Sequence, residues 1–127
     1  MANWKAVVAG VALLAVVLFV GFRLTGNASK DIGKYDEFAK CLTDKGVTMY
    51  GAYWCPHCAR QKEMFGSSWK YVNYVECDPR GNNAKPELCR EKGVQGFPTW
   101  EFPNGEIVSG ETPLRELSFR SGCPLPQ

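Results

Sequence analysis

The chain has 127 residues and a formal net charge of +2, with nearly balanced basic and acidic residues. This balance argues against a nucleic-acid partner, which would bind a strongly positive face. Residues 6–22 carry no charge, whereas the C-terminal part of the chain, about a hundred residues, has the mixed composition and the length of one compact domain. We therefore expect residues 1–24 to be an N-terminal membrane anchor, residues 25–30 a linker and residues 31–127 a single domain.

The uncharged segment is close to the length of a transmembrane helix. Residues 6–22 would span roughly 25 Å as a helix, slightly less than a hydrocarbon core of about 30 Å. Trp4 can lie at one interface, and Lys5 and Arg23 can extend their charged ends to water. A cleaved secretory signal ending near residues 26–28 and a buried soluble helix are the alternatives. We favour a retained, single-pass anchor.

The side of the membrane is inferred from the cysteines. Basic residues flank the apolar segment on both sides, so their distribution does not decide the orientation. Six cysteines in so short a chain are typical of a compartment in which disulfides persist. We expect the domain on the extracytoplasmic side of the cell membrane.

The remaining elements are predicted from apolar spacing and turn residues. In chain order they are a helix over 31–45, a strand over 47–53, a helix over 56–65, a strand over 71–76, a helix over 85–92, a hairpin of 99–102 and 106–109, and a helix over 112–121. The last helix presents Leu114, Leu117 and Phe119 as its apolar residues. This order, α-β-α-β-α-β-β-α after the membrane helix, predicts an α/β fold with a central sheet flanked by helices.

The clearest chemical motif is Trp54-Cys55-Pro56-His57-Cys58, which lies where a strand leads into a helix. Cysteines at this spacing can form a disulfide within one helical turn. The helix N-terminus favours the thiolate of Cys55, which is the form that attacks disulfides. Pro56 suits the first helical turn. His57 adds a positive or hydrogen-bonding group that favours the thiolate further, which indicates an oxidant or isomerase.

Two other uses of a Cys-x-x-Cys motif fit less well. A structural zinc site needs a second close pair of ligands, whereas Cys77 and Cys89 are far apart and His57 is the only histidine. A c-type haem needs a histidine after the second cysteine, and that residue is Ala59. An inert structural disulfide remains an alternative. We expect a redox pair, with no metal and no cofactor.

Together with Gly96-Phe97-Pro98-Thr99, the motif resembles the thioredoxin superfamily. Pro56-His57 is the dipeptide of the bacterial periplasmic oxidant DsbA. The stretch from Met49 through residues 76–79 to Trp100 is more similar to the thioredoxin-like domain fused to bacterial vitamin K epoxide reductase homologues. The resemblance covers about residues 38–121.

The resemblance implies roles for individual residues. Cys55 would be the exposed nucleophile and Cys58 the buried resolving thiol. Pro98 would be a cis-proline facing Cys55, and the backbone of Phe97 would pair with a bound substrate strand. Most relatives carry a buried acid at the position of Met49, so a proton route through that residue is in doubt.

The other four cysteines are Cys41, Cys77, Cys89 and Cys123, and the sequence alone allows three pairings. The resemblance implies a Cys77–Cys89 disulfide, which would leave Cys41 and Cys123 to pair with each other. Free thiols, acting as a relay, are the alternative.

Aromatic residues near the motif have two interpretations. Tyr53, Trp54, Phe97 and Trp100 could form an apolar surface for unfolded substrates, or pack as core and lid. We interpret Lys62, Lys70, Lys85 and Arg90 as a solvated face.

The sequence thus predicts a membrane-anchored protein-disulfide oxidoreductase that oxidises or isomerises cysteine-containing extracytoplasmic proteins. The fused family passes electrons to quinone through a four-helix domain, so such a membrane partner would act in trans. The alternatives are a reductant in the same compartment, a non-catalytic binding module of the same fold, and a metal carrier.

Overall fold

The computed structural model describes residues 3–5, 7–8, 10–11 and 33–127. The chain forms two compact units, Met1–Asp31 and Ile32–Gln127. Residues 12–24 of the predicted anchor, and the whole predicted linker over 25–30, lie outside the described residues. Within the residues described, no helix has the length and apolar character needed to cross a membrane.

The second unit contains helices and strands in the predicted order. They are α1 (Asp36–Asp44), β1 (Thr48–Gly51), α2 (Pro56–Phe65), a 3₁₀ helix (Gly66–Tyr71), β2 (Asn73–Glu76), α3 (Pro86–Glu91), β3 (Thr99–Glu101), β4 (Ile107–Ser109) and α4 (Leu114–Ser121). The sequence did not predict the 3₁₀ helix. It follows α2 directly because Gly66, with a φ of 55°, ends that helix in a conformation that glycine adopts without strain.

The four strands form one sheet in the order β2-β1-β3-β4. β1 and β2 are parallel, whereas β3 is antiparallel to β1 and β4 is antiparallel to β3. Because β3 runs against β1, its first residue, Thr99, pairs with Tyr50 near the end of β1. The topology therefore brings the loop before β3 to the edge where β1 leads into α2. This mixed α/β arrangement fits the expected thioredoxin-like fold.

The largest apolar cluster includes residues from α1, α2, β3 and α4, among them Phe38, Phe65, Trp100 and Leu117. A smaller cluster joins Tyr50 to the buried cysteines 77 and 89.

The apolar residues of α4 differ in their burial. Leu117 is fully buried, but the side chain of Phe119 is 84% exposed. Residues two positions apart in a helix lie on different faces, so Leu117 and Phe119 cannot both face the core.

Candidate active site

Cys55 is the N-cap residue of α2, and Pro56 begins the helix. The backbone of Cys55 is extended, and its Sγ accepts a hydrogen bond from the N–H of Cys58 at 3.4 Å. This N–H would otherwise lack a partner, as do all those in the first turn of a helix. A sulfur in this position lies at the positive end of the helix dipole.

Cys58 lies one turn further along α2 and is 1% exposed. Burial, together with its hydrogen bond to Cys55, raises the pKa of the Cys58 thiol to about 12, against opposing contributions from Ala52 and Lys62. At neutral pH Cys58 is therefore an uncharged thiol that needs a proton acceptor before it can attack a disulfide. Both Cys55 and Cys58 are free cysteines, and both are buried. The expectation of an exposed Cys55 is therefore wrong, since Cys55 is 5% exposed because it packs into the main apolar cluster.

The loop before β3 contacts Cys55 directly. The Phe97–Pro98 peptide bond is cis, and the Cys55 thiol donates to the carbonyl oxygen of Phe97 at 3.7 Å. The Thr99 hydroxyl donates to the carbonyl of Gly96 at 2.7 Å, and the carbonyl of Pro98 accepts from the N–H of Gly110 at 2.7 Å. These bonds fix the loop from both sides. Residues far apart in sequence thus meet at one site.

His57 interacts with a residue that the sequence analysis did not identify. Its Nδ1 lies 2.7 Å from Oε1 of Glu111, and the same oxygen accepts from Nε of Arg60 at 2.7 Å. The hydrogen bond from His57, followed by that from Arg60, lowers the pKa of the Glu111 carboxyl. We expected His57 to act on Cys55, whereas its Nδ1 faces Glu111. No local sequence signal could have identified Glu111, because it lies in the segment after β4, far from His57 in the sequence.

Three of the four aromatic residues expected near the site are exposed or half-buried, and the fourth is fully buried. Tyr53 and Trp54 are 56% and 54% exposed. Trp54 packs edge-on against Phe97, with ring centroids 6.3 Å apart, and its Nε1 donates to Asp78 at 2.7 Å. Trp100 is fully buried, so the core interpretation holds for it. An exposed aromatic surface therefore borders Cys55.

Asp78 also forms an ion pair with Arg80, whose Nη2 lies 2.7 Å from Oδ2 of the carboxylate. The bonds from Arg80, followed by the one from Trp54, hold the pKa of the Asp78 carboxyl well below its usual range. Asp78 therefore stays ionised and fixes the indole of Trp54 beside the site.

The four remaining cysteines form two disulfides, Cys41–Cys123 and Cys77–Cys89, each with its Cα atoms 5.8 Å apart. The first joins α1 to the segment after α4. The second joins the end of β2 to α3. Cys55 and Cys58 are thereby the two cysteines left for redox chemistry.

The interpretation of four basic residues as a solvated face needs correction for Lys62, which is half-buried. Its Nζ lies 4.2 Å from the ring centroid of Tyr74. Lys70, Lys85 and Arg90 are exposed, as expected. In the described part of the chain, no group of three or more His, Cys, Asp or Glu side chains is placed to hold a metal ion.

No protein-family model matches the chain. It is 45% identical over 93 residues to a thiol-disulfide oxidoreductase of Arabidopsis thaliana, a match that covers 70% of this chain and 24% of the relative. The chain thus spans about a quarter of the length of that relative. The match relates this chain to part of a thiol-disulfide oxidoreductase. A solved structure of oxidised glutaredoxin 2 from Chlamydomonas reinhardtii aligns with a TM-score of 0.42 and 19% identity, over 72% of this chain and 95% of the other.

Proposed function

We propose that this chain is a thiol–disulfide oxidoreductase that oxidises or isomerises disulfides in extracytoplasmic proteins. The observation that carries the proposal is the placement of Cys55. Its sulfur caps α2, lies 3.7 Å from the carbonyl oxygen of Phe97 in the cis-proline loop, and precedes a buried second thiol by one turn. A thiol held at a helix N-terminus beside a resolving thiol is suited to disulfide exchange.

In the oxidising direction, a substrate thiolate attacks Cys55 of the Cys55–Cys58 disulfide. A bond forms between the substrate sulfur and Cys55, and Cys58 leaves with the electron pair and takes up a proton. A second substrate thiolate then attacks the substrate sulfur of the mixed disulfide and releases Cys55 as a thiolate. The substrate loses two electrons and the enzyme gains them.

Cys55 is the nucleophile of this proposal because its sulfur caps α2 and contacts the carbonyl of Phe97 in the cis-proline loop. Cys58 is the resolving thiol because it lies one turn further along α2 and its pKa is raised to about 12. The exposed aromatic surface of Tyr53 and Trp54, extended by Phe97, would bind apolar segments of unfolded substrates. Pro98 would hold the backbone of Phe97 in position for pairing with an extended substrate strand.

The setting of the reaction is also a proposal. Two disulfides bind the domain together, which suits an oxidising compartment, and the uncharged segment over 6–22 suits an anchor. A quinone-linked membrane partner of the vitamin K epoxide reductase type, acting in trans, would reoxidise the enzyme. Anchoring would raise the local concentration of the domain at such a partner.

Paired serine variants test the roles of the two cysteines. We expect Cys55→Ser to lose activity in peptide oxidation and insulin reduction. Cys58→Ser should instead accumulate a mixed disulfide between Cys55 and substrate, because the resolving thiol is missing. Mass spectrometry under non-reducing conditions detects that adduct. Activity retained in Cys55→Ser would contradict the assignment.

The direction of electron flow is tested by the reduction potential of the Cys55–Cys58 pair in glutathione buffers. We expect a value between about −120 and −180 mV, as in oxidants and isomerases, and a value near −270 mV would indicate a reductant.

A further inference from the structure

Cys58 needs a partner that exchanges protons with it. In the proposed reaction it receives a proton when it leaves, and gives one up when it attacks. Cys58 is 1% exposed, so bulk water has little access to its sulfur. Burial, followed by its hydrogen bond to Cys55, raises the pKa of the thiol to about 12. A nearby proton donor and acceptor would therefore accelerate both directions.

The expected position for such a group is occupied by an apolar side chain. Met49 is fully buried in β1 and cannot carry a proton. The neighbouring strand offers two groups that can, since Met49 pairs with Tyr74 and Gly51 pairs with Glu76 across the parallel β1–β2 ladder. Tyr74 and Glu76 are two residues apart in β2 and therefore project from the same face of the sheet.

Gly51 brings the phenol of Tyr74 close to Cys58. A Cβ added at Gly51 would lie 2.9 Å from Sγ of Cys58, 2.9 Å from Cε2 of Tyr74 and 3.3 Å from its Oη. The thiol and the phenol therefore both approach the bare backbone of the glycine, and their sulfur and oxygen lie at most about 6 Å apart. One bridging water can span that separation.

The phenol is bonded in turn to a carboxylate. Tyr74 Oη donates to Oε2 of Glu76 at 2.8 Å, and Oε1 of Glu76 accepts from the N–H of Asp78 at 2.9 Å. Glu76 is 6% exposed and packs against Gly81, where a Cβ would lie 2.4 Å from its Cγ. This packing fixes the side chain, which keeps only a small contact with solvent.

The charged and titratable groups around Cys58 and Tyr74 are Lys62, Cys55 and Glu76. Lys62 Nζ lies 4.2 Å from the centroid of the Tyr74 ring, and its charge lowers the pKa of Cys58. Burial, then the bond to Glu76, raises the pKa of Tyr74, and Cys58 and Cys55 contribute in the same direction. Tyr74 therefore stays a neutral phenol that can pass a proton on without holding a charge.

We propose that Tyr74 and Glu76 form a proton relay for Cys58, replacing the acid that Met49 cannot supply. The inference rests on the proposed function. When Cys58 leaves as a thiolate, it takes the phenolic proton of Tyr74 through a bridging water. The Glu76 carboxylate takes up a proton from solvent and passes it to Tyr74, so both groups return to their starting state. When Cys58 attacks, the same protons move in the opposite direction.

The test uses the full chain with Cys55 and Cys58 reduced and both structural disulfides intact. Dithiobis-nitrobenzoate releases one thionitrobenzoate when Cys55 attacks it and a second when Cys58 resolves the mixed disulfide. Stopped-flow absorbance separates the two releases. We expect Tyr74→Phe and Glu76→Gln to slow the second release about 100-fold near neutral pH, which is the lower range for positioned acid–base groups. The first release should not change, and the second should recover as hydroxide replaces the relay at higher pH.

Tyr50→Phe is the matched control. Tyr50 is another tyrosine of the same sheet, itself buried, whose hydroxyl donates to Glu101 at 2.6 Å, but it belongs to the other apolar cluster. Its variant should show both releases at the original rates. Circular dichroism shows whether each variant is folded, and Tyr74→Phe keeps the ring in place if Glu76→Gln does not fold.

The outcomes separate the relay from the proposed function. A second release with the original rate and pH dependence in Tyr74→Phe overturns the relay. A slow second release in Tyr74→Phe with an unchanged one in a folded Glu76→Gln overturns the role of Glu76. A missing first release in the unmodified chain instead overturns Cys55 as the nucleophile, and with it the proposed function.

Discussion

Gln61 is a fully buried polar residue of α2, and we predict that its replacement by leucine strongly destabilises the fold. Its Nε2 donates to the carbonyl of Thr112 at 2.9 Å, and its Oε1 accepts from the N–H of Thr112 at 2.7 Å and from Nε1 of Trp100 at 3.3 Å. Gln61 therefore joins α2 to β3 and to the segment before α4.

The size of the effect depends on the partners that would remain. Leucine fills a similar volume but leaves two backbone groups of Thr112 and the indole N–H of Trp100 without partners. Thr112 is 3% exposed and Trp100 is fully buried, so water has little access to them. Each unpaired buried group costs about 1–3 kcal/mol, and the long bond to Trp100 contributes least. We expect a loss of about 3 kcal/mol, a large share of the 5–15 kcal/mol typical of a domain.

Urea unfolding followed by circular dichroism, with both disulfides intact, measures the change. Gln95→Leu is the control, because Gln95 lies exposed in the turn before the cis-proline loop and should change the free energy of unfolding by no more than about 0.5 kcal/mol. Equal midpoints for Gln61→Leu and Gln95→Leu would refute the reasoning.

Two further predictions concern the cysteines. Removing the Cys41–Cys123 disulfide, whose cysteines are 82 residues apart, should lower the free energy of unfolding by about 4.5 kcal/mol. Removing the Cys77–Cys89 disulfide, whose cysteines are 12 residues apart, should lower it by about 3 kcal/mol. The first value is larger because a disulfide that closes a longer loop restricts the unfolded chain more. Double alanine variants compared by thermal unfolding test this order, and the opposite order would contradict it. In the reduced protein at neutral pH, iodoacetamide should label Cys55 and spare Cys58, because the pKa of the Cys58 thiol is about 12. Labelling of Cys58 should increase only as the pH rises toward that value. Mass spectrometry measures the labelling of each cysteine, and equal labelling of Cys55 and Cys58 at neutral pH would contradict this prediction.

The order of helices and strands could be predicted because each element has a local signal. Pro56 and Gly66 bound α2, and the Pro-Asn-Gly turn at 103–105 separates β3 from β4. Local signals did not assign single residues to faces. Phe119 is an apolar residue of α4 and yet is exposed, whereas Trp100, for which a surface role and a core role were both open, lies in the core. Which side of a short helix or strand is buried depends on what packs against it.

Sequence by itself determined that two cysteines occupy the start of a helix, because the motif and the strand-to-helix transition are both local. Only the tertiary structure decided which distant groups act on them. Phe97 reaches Cys55, Glu111 reaches His57, and Tyr74 reaches the surroundings of Cys58 through strand pairing and the small size of Gly51. The electrostatic and proton-transfer properties of a buried thiol depend on neighbours within a few ångströms, and here those neighbours are brought together by the sheet.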